Sequence, residues 1–144
     1  MASHPWPGSG RITRRLLLVS ILVATGGGCV SATEREADRF ISTVHADPLY
    51  SWRPSWETTE QKDETTAGLG VAAETRTSVT RALKGNDLPQ DAVTQATNYA
   101  NSVGWLQSSS GLMNKYVVTG SVEVRMTLRI YVYDASQLII DFTD

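Results

Sequence analysis

The stretch "SVEVRMTLRIYVY", residues 121–133, decides the fold class of this chain. From 122 to 132 every even-numbered residue is apolar, and from 123 to 133 every odd-numbered residue is charged, threonine or tyrosine. Successive side chains of a β-strand point to opposite faces of the sheet. The alternation therefore predicts a long strand with one buried face and one solvent-exposed face.

The segments on either side of this strand predict an antiparallel meander. "KYVVT", residues 115–119, is predicted to be a strand, joined to the long one by a tight turn at Gly120 and Ser121. "DAS", residues 134–136, turns the chain into a last strand, "QLIIDFT", residues 137–143. A strand of about twelve residues spans roughly 40 Å at 3.3 Å per residue. We therefore expect it to pair with the preceding strand at one end and with the last strand at the other.

Two amphipathic helices are predicted upstream of the meander. The first spans residues 34–46, because Thr33 and Glu36 have the spacing of a capping box and apolar residues then recur at helical intervals. The second follows Pro89, carries one apolar stripe and ends at Gly104. The apolar positions of the first helix are Ala37, Phe40, Ile41 and Val44. Because each helix carries a single apolar stripe, each helix is predicted to pack one face on the core.

The remaining patterned segments are shorter. Residues 71–83, "VAAETRTSVTRAL", fit either a strand, which their β-branched residues favour, or a helix ended by Gly85. We predict the strand. "KGND" then makes a turn into the second helix, and a short strand is predicted over residues 105–108, before the loop "SSSG".

Together these elements predict a single domain of the α+β class over residues 34–144. Two helices pack on one face of a four- to five-stranded, mainly antiparallel sheet, which gives a two-layer sandwich. A chain of 144 residues has room for one such domain.

Residues 48–68 show no period and are predicted to be an aromatic and polar loop. Tyr50, Trp52 and Trp56 place three large rings in its first half. Such rings bury about 150–250 Å² each, which favours a loop that wraps the domain and closes one edge of the core. The alternative is an aromatic platform on which these three rings stack against a glycan or peptide.

The first 28 residues have the layout of an export signal. Arg11, Arg14 and Arg15 precede an apolar run over residues 16–24, interrupted only by Ser20, and three glycines then lead to Cys29. A membrane-spanning helix needs about 20 apolar residues, more than this run supplies. Residues 1–28 are therefore predicted to be a signal peptide and residues 29–33 a tether.

The stretch "LLLVSILVATGGGC" resembles the lipobox of exported bacterial lipoproteins, in which small residues precede a cysteine. The resemblance implies that Cys29 receives a diacylglycerol and an N-acyl chain and becomes the new N-terminus. It also implies a location on the outer face of the cytoplasmic membrane. Two or three acyl chains anchor stably, at roughly 0.8 kcal/mol per buried methylene, where one does not. The alternative is an ordinary secretory cut that leaves Cys29 as a free thiol.

Two short motifs extend the resemblance into the domain. "DPLYSWRP", residues 47–54, matches the pattern "DPL..WRP", and "GW" at Gly104 and Trp105 follows the second helix. In these motifs the chain is similar to small lipoproteins of actinobacteria. This resemblance implies no activity.

Charge excludes some classes of partner. Residues 29–144 carry ten Lys and Arg against 15 Asp and Glu, a formal charge of −5. An acidic domain repels nucleic acid and anionic headgroups at long range, so no nucleic-acid partner is expected. With Cys29 as the single cysteine, no internal disulfide is possible, and the core alone must stabilise the domain.

The sequence offers no catalytic, cofactor-binding or metal-binding residues. Of its two histidines, His4 lies in the signal and His45 ends the first helix, where the helix dipole favours a surface imidazole. No nucleophile elbow, zinc-binding helix motif or phosphate-cradling loop occurs. Asp141 and Asp144 near the C-terminus are expected to be solvated charges. No cofactor is expected beyond the lipid.

The exposed face of the long strand is the candidate partner-binding surface, because arginine and tyrosine are residues that interfaces use as anchors. Its residues are Arg125, Arg129, Tyr131 and Tyr133. The alternative is an ordinary sheet face on which these side chains pair with Arg76 or Asp141. We therefore expect a non-enzymatic, lipid-anchored cell-envelope protein that binds an envelope protein or ligand. The alternatives are a cell-wall or glycan-acting enzyme and an unanchored secreted domain.

Overall fold

The computed structural model describes residues 32–65 and 76–144. The predicted signal peptide, Cys29 and the first part of the segment 71–83 lie outside these ranges. The described elements are two α-helices, one short 3₁₀-helix and six strands. They are α1 (Ala32–Ala46), the 3₁₀-helix (Pro48–Ser51), β1 (Thr59–Thr65), β2 (Ser78–Lys84), α2 (Ala92–Ser102), β3 (Leu106–Gln107), β4 (Met113–Thr119), β5 (Val122–Asp134) and β6 (Gln137–Thr143).

The six strands form one sheet in the order β1-β2-β6-β5-β4-β3, and every neighbouring pair is antiparallel. The predicted α+β class is confirmed. The predicted number of four to five strands is wrong, because β1 was expected to be part of the loop 48–68. Its sequence, "TEQKDET", has no apolar residue and so no alternation. As an edge strand it is bound through its backbone to β2 and needs no buried face of its own.

The ambiguous segment is a strand where the structure describes it. β2 covers Ser78–Lys84, so the helical alternative is wrong for these residues. Val79, Arg81 and Leu83 lie on one face of β2, opposite Phe142, Ile140 and Leu138 of β6.

The predicted meander is confirmed. β4 and β5 pair from Thr119 and Val122, next to the turn, to Met113 and Leu128. β6 pairs with the other half of β5, from Thr127 onward. The long strand thus joins two offset halves of the sheet, as its length predicts.

Both helices contribute small or apolar side chains to a core on one face of the sheet. Three alanines of α2 are fully buried, and their small side chains allow the helix to lie close to the strands. Gly104 has a φ of +94°, which confirms it as the glycine that ends α2. The largest buried apolar residues are Phe40, Leu49, Leu83, Trp105, Met126, Leu128, Leu138, Ile140 and Phe142.

α1 begins earlier than predicted. Its first described residue is Ala32, so Thr33 lies inside the helix and the expected capping box at Thr33 is wrong. The apolar stripe is confirmed, since Ala37, Phe40 and Val44 are buried. No described helix is both long enough and apolar enough to cross a membrane.

Candidate interaction surface

One face of the sheet packs on the helices, and the opposite face points to solvent along β5. Because strand residues alternate between faces, the paired register assigns residues to this second face, which we call the open face. It includes Gln61 and Asp63 of β1, Thr80 and Ala82 of β2, Ile139 and Asp141 of β6, Arg125, Arg129 and Tyr131 of β5, and Tyr116 and Val118 of β4.

The four predicted partner-binding residues form a row along β5: the register places Arg125, Arg129 and Tyr131 on the open face, and Tyr133 follows at a β-bulge between Val132 and Asp134, where it has no cross-strand partner. Arg125 and Arg129 are exposed, Tyr133 is 70% exposed and Tyr131 is half-buried. The guanidinium carbon of Arg129 lies 5.0 Å from the centroid of the Tyr131 ring, within the range of a cation–π contact. The row therefore combines two cationic groups with two aromatic rings.

Two apolar residues lie beside this row. Ile139 is only 6% exposed although it lies on the open face, and its cross-strand neighbours are Tyr131 and Ala82. Ala82 is also only 6% exposed, so these two side chains are covered and offer little free apolar area beside Tyr131.

The cross-strand neighbours that the sequence suggested, Arg76 and Asp141, form no ion pair or hydrogen bond with the two arginines. Asp141 lies opposite Arg129, but its Oδ1 accepts a hydrogen bond from Thr80 Oγ1 over 2.8 Å. Within residues 32–65 and 76–144, no carboxylate oxygen lies within 4.0 Å of either guanidinium. The suggested pairing with Arg76 is wrong, because Arg76 precedes β2 and β6 separates β2 from β5.

Two exposed apolar residues of β4 extend this surface and were not predicted. Tyr116, 55% exposed, lies opposite Arg125, and Val118, 70% exposed, lies opposite Glu123. The sequence did contain a signal for these two residues. A two-residue turn at 120–121 fixes the register of the hairpin, so alternate residues of "KYVVT" share a face with the polar residues of the long strand.

The three rings of the predicted aromatic platform pack against the core and do not form one row. Tyr50 stacks on His45 with centroids 4.6 Å apart, and Trp52 stacks on Tyr99 of α2 at 5.5 Å. Trp56 meets Trp52 edge-on, and its Nε1 donates to Gln95 Oε1 over 3.1 Å. All three are partly buried against the core cluster. The three rings of the predicted loop therefore pack against the core, whereas residues 59–65 of that loop form β1.

A fully buried arginine fixes the aromatic segment to the sheet. Arg81 of β2 donates from Nη1 to the carbonyl of Leu49 over 2.7 Å and from Nη2 to the carbonyl of Trp52 over 2.9 Å. Its Nε donates to Glu60 of β1. The guanidinium thus donates the hydrogen bonds that water would otherwise make to two loop carbonyls and a carboxylate that are removed from solvent.

The carboxyl of Glu60 responds to two opposing influences. Burial raises its pKa, but the hydrogen bond and charge of Arg81, with the charges of Lys62 and Arg53, outweigh burial. The pKa of Glu60 therefore lies below its usual value. Arg53 also bonds Glu57 over 3.1 Å, so β1 and the loop share one ionic network.

Asp47 joins the two short motifs that carry the resemblance to actinobacterial lipoproteins. Its Oδ1 accepts from the backbone N–H of Leu49 over 2.9 Å, which caps the 3₁₀-helix, and from Trp105 Nε1 over 3.2 Å. Its Oδ2 accepts from Lys115 Nζ over 2.6 Å, and Lys115 also donates to the carbonyl of Val103. The aspartate of "DPLYSWRP" and the tryptophan of "GW" are therefore hydrogen-bonded neighbours, which assigns both motifs a structural role.

His45 is exposed, as predicted. Its Nε2 lies 2.6 Å from Glu64 Oε1, and its ring stacks on Tyr50. No group of three or more His, Cys, Asp or Glu side chains in the described part of the chain is arranged to hold a metal ion.

Two clefts lie beside α1. One, of about 330 Å³, runs between α1 and β4 and is lined by Ser42, Thr43, Ala46, Asp47, Lys115, Val117 and Thr119. The other, of about 240 Å³, lies between the first half of α1 and the start of β5, and Arg39, Glu123 and Arg125 are among its lining residues. The row on the open face therefore ends next to a small charged cleft.

Comparisons of this chain with protein-family models, with curated proteins and with solved structures found no match.

Proposed function

We propose that this protein is a non-enzymatic, lipid-anchored protein of the cell envelope whose open face binds an envelope protein. The observation that carries the proposal is the row Arg125, Arg129, Tyr131 and Tyr133, with two guanidinium groups that have no carboxylate within 4.0 Å among the described residues. An exposed arginine without an internal carboxylate partner is available for a bidentate bond to a carboxylate of another molecule.

The chemistry of the row favours a protein partner that presents carboxylates beside a flat apolar or aromatic surface. Tyrosine buries a large area at low cost in side-chain entropy, and arginine and tyrosine are both enriched among the residues that dominate the binding energy of interfaces. The net charge of −5 over residues 29–144 repels acidic partners at long range, so the local cationic row selects the orientation of approach.

The lipid anchor rests on the resemblance of residues 11–29 to a lipobox. α1 begins at Ala32, three residues after Cys29, and three extended residues span roughly 10 Å. A chain acylated at Cys29 therefore holds the start of α1 close to the bilayer. Because α1 belongs to the helix layer, the open face lies on the other side of the sheet and stays accessible.

Co-purification from native membranes tests the binding surface. Arg129→Ala combined with Tyr133→Ala removes one guanidinium and one ring without touching the core. We expect at least a tenfold loss of the recovered partner, measured by quantitative mass spectrometry. The matched control is Gln61→Ala combined with Asp63→Ala, on the open face of β1. Equal recovery with both double variants contradicts the proposal.

The anchor is tested separately. Mass spectrometry of the mature N-terminus is expected to show an acylated Cys29, and Cys29→Ala is expected to leave the membrane fraction. An unmodified mature N-terminus, or a Cys29→Ala protein that stays wholly in membranes, contradicts the lipid anchor.

A further inference from the structure

The hairpin of β4 and β5 projects beyond the rest of the sheet. β6 pairs with β5 only from Thr127 onward, whereas β4 and β5 pair as far as Thr119 and Val122. The part of β5 that precedes Thr127 spans roughly 17 Å at 3.4 Å per residue. Among the described strands, this part of the hairpin is a two-stranded projection that ends in the turn at 120–121. We call residues 116–122 the hairpin tip.

The hairpin tip has no charged residue and exposes apolar side chains on both of its faces. Its sequence is "YVVTGSV". Tyr116 and Val118, 55% and 70% exposed, lie on the open face, and Val122, 37% exposed, lies on the opposite face. An antiparallel sheet with one solvated face normally exposes polar residues there. Apolar side chains exposed on both faces instead fit surroundings that are apolar on every side of the tip, as in a lipid bilayer.

α1 begins at the same end of the domain as the hairpin tip. After the C-terminus of α1, Asp47 bonds Lys115, which precedes the tip in β4. In the first half of α1, Glu36 lines a cleft together with residues 122–125, at the start of β5. α1 therefore approaches the tip from its C-terminus to its N-terminus. Ala32 lies about 6 Å beyond Glu36 in the same direction, at 1.5 Å per residue.

We propose that the hairpin tip inserts into the outer leaflet of the membrane beside the acyl chains on Cys29. The inference rests on the lipid anchor proposed above. Ala32 follows Cys29 by three residues, which span roughly 10 Å when extended. This short tether holds the start of α1, and with it the tip, within reach of the headgroups. Insertion removes the side chains of Val118 and Val122 from water.

The residues next to the hairpin tip limit the depth of insertion. Glu123 follows the tip directly, and a carboxylate is costly in the apolar part of a bilayer. Tyr116 lies opposite Arg125, and both side chains suit the headgroup level, where tyrosine is enriched and arginine reaches the phosphates. We therefore expect shallow insertion, to about 5–10 Å, with Val118 and Val122 lowest.

Insertion of the tip leaves the partner-binding row accessible. Tyr133 lies near the other end of β5, roughly 35 Å from Val122 at about 3.3 Å per residue. With the tip in the membrane, β5 stands upright on the bilayer, and Arg129 and Tyr133 lie on the side away from the lipid. The same orientation serves both the anchor and the proposed binding of an envelope protein.

Fluorescence quenching by nitroxide-labelled lipid tests the insertion in the mature chain, purified from membranes and reconstituted in phosphatidylcholine vesicles. Acylation occupies the thiol of Cys29, so Ser121→Cys introduces the only free thiol, which takes an environment-sensitive dye. We expect nitroxides near the top of the acyl chains to quench the dye at residue 121 at least tenfold more than a dye at Ala135→Cys. Ala135 is the matched control, because it is exposed in the turn at the opposite end of β5.

A double variant tests the two exposed valines. Val118→Gln combined with Val122→Gln makes the tip polar without adding charge. We expect it to reduce quenching at residue 121 at least fivefold, while the acyl chains keep the protein on the vesicles. Val132→Gln replaces a valine exposed near the other end of β5 and is expected to leave the quenching unchanged. Circular dichroism checks that both variants keep the native fold.

Equal quenching at residues 121 and 135 in a chain with acylated Cys29 overturns the insertion of the tip and leaves the anchor intact. Quenching at residue 121 that the double glutamine variant does not reduce also overturns it. A mass spectrum that shows Cys29 without acyl chains overturns the anchor and the insertion together. Shielding of residue 121 in native membranes but not in phosphatidylcholine vesicles assigns the tip to a protein partner and overturns insertion into lipid.

Discussion

The indole Nε1 of Trp105 donates a hydrogen bond to Oδ1 of Asp47 over 3.2 Å, although the two residues are 58 positions apart in the chain. The second carboxylate oxygen of Asp47 binds Lys115, whose ammonium also bonds the carbonyl of Val103. One carboxylate therefore ties the end of α1, the chain after α2 and β4 together.

Replacement of Asp47 is expected to weaken the whole domain. Asp47→Ala leaves the largely buried ammonium of Lys115 with the carbonyl of Val103 as its remaining partner, and it leaves the Trp105 indole N–H unbonded. Removing one member of a buried ion pair costs about 3–5 kcal/mol. Urea unfolding is expected to show a loss of about 3 kcal/mol in the free energy of unfolding. Asp38→Ala, which removes an exposed acid of α1, is the control, and an equal effect of both changes contradicts this role.

Arg81 is expected to hold the aromatic segment in place. Arg81→Met keeps much of the side-chain volume but removes the donor to the carbonyl of Trp52, and it leaves the carbonyl of Leu49 with only the Trp52 N–H and Glu60 with only the more exposed Arg53 and Lys62. Unsatisfied buried polar groups cost about 1–3 kcal/mol each. We expect a loss of about 3 kcal/mol in stability and faster amide exchange in residues 48–52.

The comparison for Arg81 is Arg53→Met. Arg53 also binds Glu60 but is two-thirds exposed, and exposed ion pairs contribute about 0–1 kcal/mol. If the Arg81→Met and Arg53→Met variants have the same unfolding midpoint, that result contradicts the anchoring role of Arg81.

The lowered pKa of Glu60 predicts a specific dependence of stability on pH. A carboxyl whose pKa is lower in the folded state than in the unfolded chain stabilises the fold above its unfolded value, near 4.5. This contribution is lost as the pH falls through the folded-state pKa. Urea unfolding of the wild type and of Glu60→Gln is expected to differ at pH 7 and to converge toward pH 3. A difference in the free energy of unfolding that stays constant from pH 7 to pH 3 contradicts this assignment. Glu123→Gln, which replaces an exposed carboxyl, is the matched control.

The alternation of apolar and polar residues was sufficient to predict the strands that have one buried and one exposed face. The even residues of β5 from Val124 to Ile130 face the helices, whereas Val122 and Val132 near its ends are exposed, and the offset pairing of β4 and β6 follows from its length. β1 was missed because an edge strand with both faces polar carries no alternation. Its position depends on backbone pairing with β2, which side-chain pattern does not encode.

Local sequence patterns could not predict the hydrogen bonds made by Arg81 and Asp47. An arginine within "SVTRALK" resembles an exposed polar residue, and its burial becomes favourable only because loop carbonyls about 30 residues away face it. By contrast, the exposed row on β5 was predictable because exposure follows from strand period alone. The missed residues Tyr116 and Val118 required the register of the hairpin as well.

Site-specific photo-cross-linking in native membranes is the most direct test of binding through the open face. A photoreactive amino acid replaces Tyr133, in the exposed row, or Gln61, on the open face of β1. We expect position 133 to capture one envelope protein repeatedly and Arg129→Ala to reduce that capture at least tenfold, while position 61 captures little. Equal capture at positions 133 and 61, or capture that Arg129→Ala leaves unchanged, would contradict binding through this row.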